Sequence, residues 1–136
     1  MERTGLKRID AMLGVKDVVW VFLACGSGGV ARLGIQLLCS SWFPAAWQGW
    51  GTVLSNALAC FLAGLFSGFL AGSGTLRLAL MTGFCGGLST FSAFALDYLP
   101  MVREGHWSAW LLVFAQVIMG LVMAWIGLVL ADAIRA

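Results

Sequence analysis

Charge is what this chain has least of. Only 10% of its 136 residues are Asp, Glu, Lys or Arg, against about 25% in an ordinary soluble domain, and that shortfall excludes a soluble globular protein. Six acids and eight bases leave a net charge of +2. Those few charges sit mostly outside the apolar runs, so no nucleic-acid footprint is present. Carboxylates are missing from the middle of every apolar run. Asp17 and Asp132 flank runs and Asp97 lies close to the end of one, so a central proton-coupling carboxylate is absent. The four cysteines (Cys25, Cys39, Cys60, Cys85) form no C-x-x-C pair, and the single histidine, His106, has no neighbouring ligand. Metal chemistry through thiolate or imidazole is thereby disfavoured, and the cysteines read as small buried packing residues.

What is abundant is apolar: 61% of the residues are hydrophobic, and the partner this composition implies is the lipid bilayer. Four segments have spanning length, 18–38, 51–71, 76–99 and 107–131, since a hydrocarbon core about 30 Å thick needs about 20 helical residues. Helix is expected over strand because the runs lack the alternation of a barrel strand. Short connections carry the punctuation: Trp42 to Pro44, Trp47 to Trp50, Gly72 to Gly74, and Pro100 to His106. Trp20, Trp42, Trp47, Trp50, Trp107 and Trp110 fall near span ends, where an amphipathic ring anchors among headgroups. The eighteen glycines are not periodic at three and lie among Leu, Ala, Val and Phe, as expected of close helix contacts.

Residues 1–16 form a distinct basic extension ahead of a four-helix domain spanning 17–136. It holds Arg3, Lys7, Arg8 and Lys16, with Leu6, Ile9 and Leu13 at helical spacing, the pattern of an amphipathic helix lying at the interface. The following apolar run continues past Ala24 to Arg32 and Leu38 without a small-x-small exit, unlike a cleavable signal peptide. With four spans, both termini share one side. Lys16, Arg77 and Arg135 then oppose Arg32 and Arg103, a weak bias compatible with insertion in both orientations; counting the tail favours an inside N-terminus.

Polar residues inside the spans are the informative ones. Four-residue spacing aligns Asn56, Cys60, Gly64 and Gly68 on the second helix, and Gln116, Gly120 and Ala124 on the fourth. Each stripe fits a packing seam with an interhelical amide, or a polar track facing a pathway. In the third span, Gly83, Gly86 and Gly87 precede Ser89 and Thr90. That cluster fits a locally unwound helix whose carbonyls line a cavity or hold a cation, or a glycine packing face on an unbroken helix. Phe91 and Phe94 share a face at i, i+3; such residues usually face lipid or pack in the core, whereas their electropositive ring edges, if pointed inward, suit an anion that a fixed cation would trap.

The run Gly83-Phe84-Cys85-Gly86-Gly87-Leu88-Ser89-Thr90-Phe91-Ser92-Ala93-Phe94 resembles the third-helix signature of the CrcB/Fluc fluoride channels, in which G-x-x-G-G precedes a T/S-T-F-S-x-F run. Gly51-Thr52-Val53-Leu54-Ser55-Asn56 resembles that family's G-T-x-x-x-N entry to the second helix, and Arg32 stands behind a glycine-rich first helix. Together these motifs cover residues 18 to 131 in the family's order. The resemblance implies an all-α membrane protein of four transmembrane helices with a break in the third. It further implies an antiparallel, dual-topology homodimer in the cell inner membrane, carrying fluoride passively out of the cytoplasm. A structural Na⁺ at the dimer centre would be held by backbone carbonyls of Gly86 and Ser89. Phe91 and Phe94 would form the aromatic part of the route, Asn56 would donate an amide N–H to the ion, and Thr90 and Ser92 would be nearby hydroxyl donors. Arg32 would serve near the vestibule or as a structural cation.

Several positions depart from the family pattern. Cys60 replaces a small residue, Gln116 stands for the usual fourth-helix Ser, Leu112 lies where a Tyr is common, and Ala24-Cys25 replaces paired glycines. Two other classes compete with a channel. A small proton-coupled multidrug-exporter-like transporter would want a Glu in the first span, and residues 18–38 contain none. A structural membrane anchor would need only the glycine stripes and leaves Asn56, Phe91 and Phe94 without a purpose.

Overall fold

The computed structural model describes residues 14–42, 49–70, 72 and 74–136. Four membrane-capable helical spans follow one another: α1 (Val15–Trp42), α2 (Trp50–Phe69), α3 (Gly74–Arg103) and α4 (Ser108–Arg135). At 1.5 Å per residue the shortest, α2, is about 30 Å long and the others exceed 40 Å, roughly, so each crosses a bilayer core of about 30 Å. Beyond the lengths expected from hydropathy, α1 is longer at both ends and α2 stops at Phe69. The amphipathic helix expected in the basic extension, the turn around Pro44 and the Trp47 anchor lie outside the described residues, apart from Val15 and Lys16, which open α1. Trp20, Trp42, Trp50, Trp107 and Trp110 are all exposed.

Outward-facing Phe22, Leu33, Leu37, Phe114, Ile118, Leu121 and Trp125 cover the surface with apolar side chains. Such a surface has no place in water and fits a multi-pass membrane protein. The helices pair by direction. α1 packs chiefly on the first half of α3, and α2 on α4. Asp17 joins the first pair at its start: Oδ2 accepts the Gly14 N–H at 3.0 Å, capping α1, and Oδ1 accepts the Thr75 hydroxyl at 2.6 Å. Arg135 closes the second pair at its far end by donating to the Gly68 carbonyl, which α2 leaves without a helical partner.

The second pair is held by backbone proximity. A Cβ at Gly64 would collide with the Ala124 carbonyl, and one at Gly127 with the Phe61 carbonyl and the Leu65 nitrogen. The Cys60–Gly64–Gly68 stripe and the Gly120–Ala124 stripe are therefore one packing seam, with Asn56 and Gln116 at its polar end. The cysteines divide: Cys85 is buried, Cys39 and Cys60 are half-buried, and Cys25 faces outward instead of being buried as expected, because α1 turns its backbone there toward Gly87.

The third span changes geometry along its length. Gly74–Arg77 is α-helical, Leu78–Cys85 is a π-helix, Gly86–Leu88 returns to α, and a new helix runs Phe91–Arg103. Between them Ser89 (φ −80°, ψ 153°) and Thr90 (φ −153°, ψ 117°) are extended. The chain thus breaks after the glycine cluster. Gly83 and Gly87 stay helical and serve packing: added Cβ atoms would strike Val21 and Ala24, or the Cys25 carbonyl. Gly28 of α1 returns the fit, lying against the backbone of Phe84 and Leu88. Both sequence readings of the cluster therefore describe part of the span.

Gly127→Val is expected to lower stability by about 1–3 kcal/mol, the usual cost of overpacking. Gly72→Ala, where an added Cβ meets nothing within 4 Å, should be neutral. Thermal unfolding of the detergent-purified protein compares the two.

Candidate functional site

The break is stitched to α2 by one side chain. Asn56 Oδ1 accepts the Thr90 backbone N–H at 2.7 Å, and its Nδ2 donates to the Thr90 carbonyl at 3.3 Å. A side-chain amide thereby replaces the peptide partner that an unbroken helix would supply to a buried residue. Thr90 also caps the helix that follows, its Oγ1 accepting the Ala93 N–H at 3.3 Å. The Ser92 hydroxyl lies 3.2 Å from the same oxygen.

These two diversions have a consequence upstream. The Thr90 N–H would close a helical turn onto the Gly86 carbonyl, and the Ala93 N–H would close one onto Ser89. Both donors are spent on side chains. The carbonyls of Gly86 and Ser89 are thus released from helical pairing. Gly86 is exposed, nothing would meet a Cβ there, and Ser89 is half-buried.

Beside the break a groove of about 400 Å³ runs between α2, α3 and α4. Asn56, Ser89, Thr90, Phe91, Phe94 and Gln116 line it, the remaining lining being Ala57, Cys60 and apolar or small residues of α4. No charged residue is among them. The phenyl rings of Phe91 and Phe94 sit 5.6 Å apart at 49°, yet their surroundings differ. Phe94 is 6% exposed and Phe91 is 79% exposed, so Phe91 stands clear of its own subunit. Gln116 is 9% exposed; its Oε1 accepts the Tyr98 hydroxyl at 3.3 Å, and its covered Nε2 has no partner among the described residues.

Most of the residues singled out from sequence therefore meet at one place. Ser92 reaches it only through Thr90, and Arg32 lies half-buried on α1, outside the lining. Both amide arms of Asn56 engage Thr90, so the one N–H it has left for an ion is the second hydrogen of Nδ2. Tyr98 escaped sequence reasoning. Its signal was the continuation of the Phe91, Phe94 spacing by one further turn, which puts it on the same helical face, where its ring meets Phe94 edge to face at 5.0 Å and 67°.

Four spans, a broken third helix and a mostly apolar groove into which a few neutral polar groups and two phenyl rings are set define a small multi-pass membrane protein. Comparison with known proteins gives the family. Residues 19–128 match the model of the CrcB-like protein, Camphor Resistance (CrcB) family. The "Fluoride-specific ion channel FluC" of Pyrococcus furiosus is 39% identical over 127 residues, covering 88% of this chain and 98% of that protein. The proteins of the same name from Stutzerimonas stutzeri (40% identical; 79% of this chain, 94% of that one) and Methylocella silvestris (34%; 88% and 95%) are similarly close. The chain belongs to the CrcB family, whose named relatives are channels and not enzymes.

Asn56→Ala should cost about 1–3 kcal/mol, since it leaves the buried Thr90 N–H without an acceptor. Gln116→Leu, which removes an orphaned donor along with the amide, should cost less. Chemical or thermal unfolding in detergent measures both.

Proposed function

We propose that this chain is a fluoride-selective channel that lets cytoplasmic fluoride leave passively across the inner membrane. The observation that carries the reading is the groove itself, in which Asn56, Thr90, Phe94 and Gln116 converge with no charged side chain. Moving a carboxylate-sized ion into a low-dielectric medium costs of order 20 kcal/mol on an idealised Born estimate, and the smaller fluoride costs more. A conduit must replace the ion's water without holding it. Amide N–H groups, hydroxyls and the electropositive edges of phenyl rings supply attraction of moderate strength, whereas a buried Lys or Arg would trap the ion. The relatives' name, fluoride-specific ion channel, agrees with this chemistry.

The working unit is an antiparallel homodimer inserted in both orientations. A subunit of four close-packed helices has no lumen of its own, and Phe91, 79% exposed, needs a second copy to enclose it. Pairing two broken spans near the midplane would also bring together four carbonyls, Gly86 and Ser89 from each subunit. Hard cations take oxygen ligands, and carbonyls freed at a helix break are a recurrent way to supply them to Na⁺. The released state of these two carbonyls fits that role. When bound, the ion would lock the two breaks together as a structural centre.

Purified protein in vesicles loaded with potassium fluoride should release fluoride when valinomycin balances the charge, and should release chloride far more slowly. Absence of fluoride release, or equal release of both halides, would overturn the reading. Phe91→Ile should lower flux about tenfold, corresponding to roughly 1.4 kcal/mol, with little change in the folding of the subunit itself, because the ring stands outside it. Removing Na⁺ from both sides should weaken dimer retention and flux together.

A further inference from the structure

Tyr98 does not line the groove itself but stands behind two residues that do, Phe94 and Gln116. Its ring stands edge to face against Phe94 at 5.0 Å, and its hydroxyl donates to Gln116 Oε1 at 3.3 Å. Gln116 is more than nine-tenths buried and lines the groove, with its Nε2 covered and unpaired among the described residues.

A buried primary amide next to an anion path has two orientations of opposite effect. With its oxygen toward the path it presents lone pairs and repels an anion; with its nitrogen toward the path it presents N–H donors. The second orientation is useful only if the oxygen, turned away, finds a donor of its own, because an unsatisfied buried carbonyl is costly. The Tyr98 hydroxyl is that donor. A hydroxyl giving its proton to an amide oxygen also polarises the amide, so that O–H···O=C–N–H becomes a chain whose terminal N–H is a stronger donor than either link alone would make it.

We propose that Tyr98 is a positioning residue of the conduction path, whose hydroxyl holds the Gln116 amide so that Nε2 is the group offered to the anion. The proposal rests on the reading of the groove as a fluoride route. It adds a residue one turn beyond Phe94 on the second half of α3 to a path otherwise built from the break, Phe91, Phe94, α2 and α4. It also accounts for a buried N–H with no protein acceptor, since that donor is kept for a passing anion.

The test is a double-mutant cycle on the full chain reconstituted in vesicles, reading fluoride flux. Tyr98→Phe keeps the ring against Phe94 and removes only the hydroxyl. It should lower flux about fivefold, as expected for one hydrogen bond, with unchanged elution and thermal unfolding in detergent. Gln116→Leu should lower flux at least as far. In the Gln116→Leu background Tyr98→Phe should then have no further effect, a coupling that a purely structural tyrosine would not produce. Should Gln116→Leu fail to fold, Gln116→Ser takes its place: a hydroxyl turns freely and needs no orienting partner, so Tyr98→Phe should again be silent. Wild-type flux in Tyr98→Phe, or losses that multiply in the double variant, would overturn the proposal. A wild-type protein that passes no fluoride would remove the channel reading and this proposal together, whereas a conducting wild type with an inert Tyr98→Phe removes the proposal alone.

Discussion

The two hydrogen bonds between the Asn56 amide and the Thr90 backbone are the joint on which the rest of the site depends. In the hydrocarbon region a broken helix survives only if its freed backbone groups are satisfied from within the protein. Asn56 does this for both polar groups of Thr90, and Thr90 in turn starts the next helix through its own hydroxyl. Spending two N–H groups in this way leaves the carbonyls of Gly86 and Ser89 without helical donors. One amide on α2 therefore makes the break tolerable and sets its position. It frees the Gly86 carbonyl, and the Thr90 hydroxyl frees that of Ser89, the two oxygens proposed for a cation.

Around that joint the glycines work as spacers. Gly28 and Gly87 let α1 and α3 approach, and Gly64 and Gly127 do the same for α2 and α4. Close backbone contact substitutes for the hydrophobic drive that lipid cannot supply between helices. The result is rigid on two sides of the groove and open on the third, where Phe91 projects. The same scarcity of charge that places the chain in a membrane serves the groove, because neutral donors can be held at membrane depth without counter-ions and can release what they bind.

Much of this was legible in the chain. Four spans follow from the length of the apolar runs, and Asn56, Gln116 and the Gly83 to Phe94 run stand out because polar groups and clustered glycines are costly inside a spanning helix. The site itself was less legible. The glycine cluster suggested a break at the glycines, yet those residues stay helical, since Gly83 and Gly87 are needed against α1. Asn56 looked like a donor free for an ion, yet most of its capacity goes to Thr90. Ser92 looked equal to Thr90, yet it touches the groove only through it. Tyr98 was overlooked because its partner, Gln116, lies on another helix and no local pattern links the two.

The sequence by itself determined the solvent, the number of crossings and the identity of the polar groups, because transfer of charge and of unpaired backbone into lipid is so unfavourable that composition and run length decide those matters locally. Only the tertiary structure decided which of those groups are spent on each other and which remain available. Hydrogen-bond pairing between α2 and α3, or between Tyr98 and Gln116, joins residues 34 and 18 positions apart. No local pattern encodes such a choice; it is settled when packing glycines bring the helices close enough for one donor to find one acceptor.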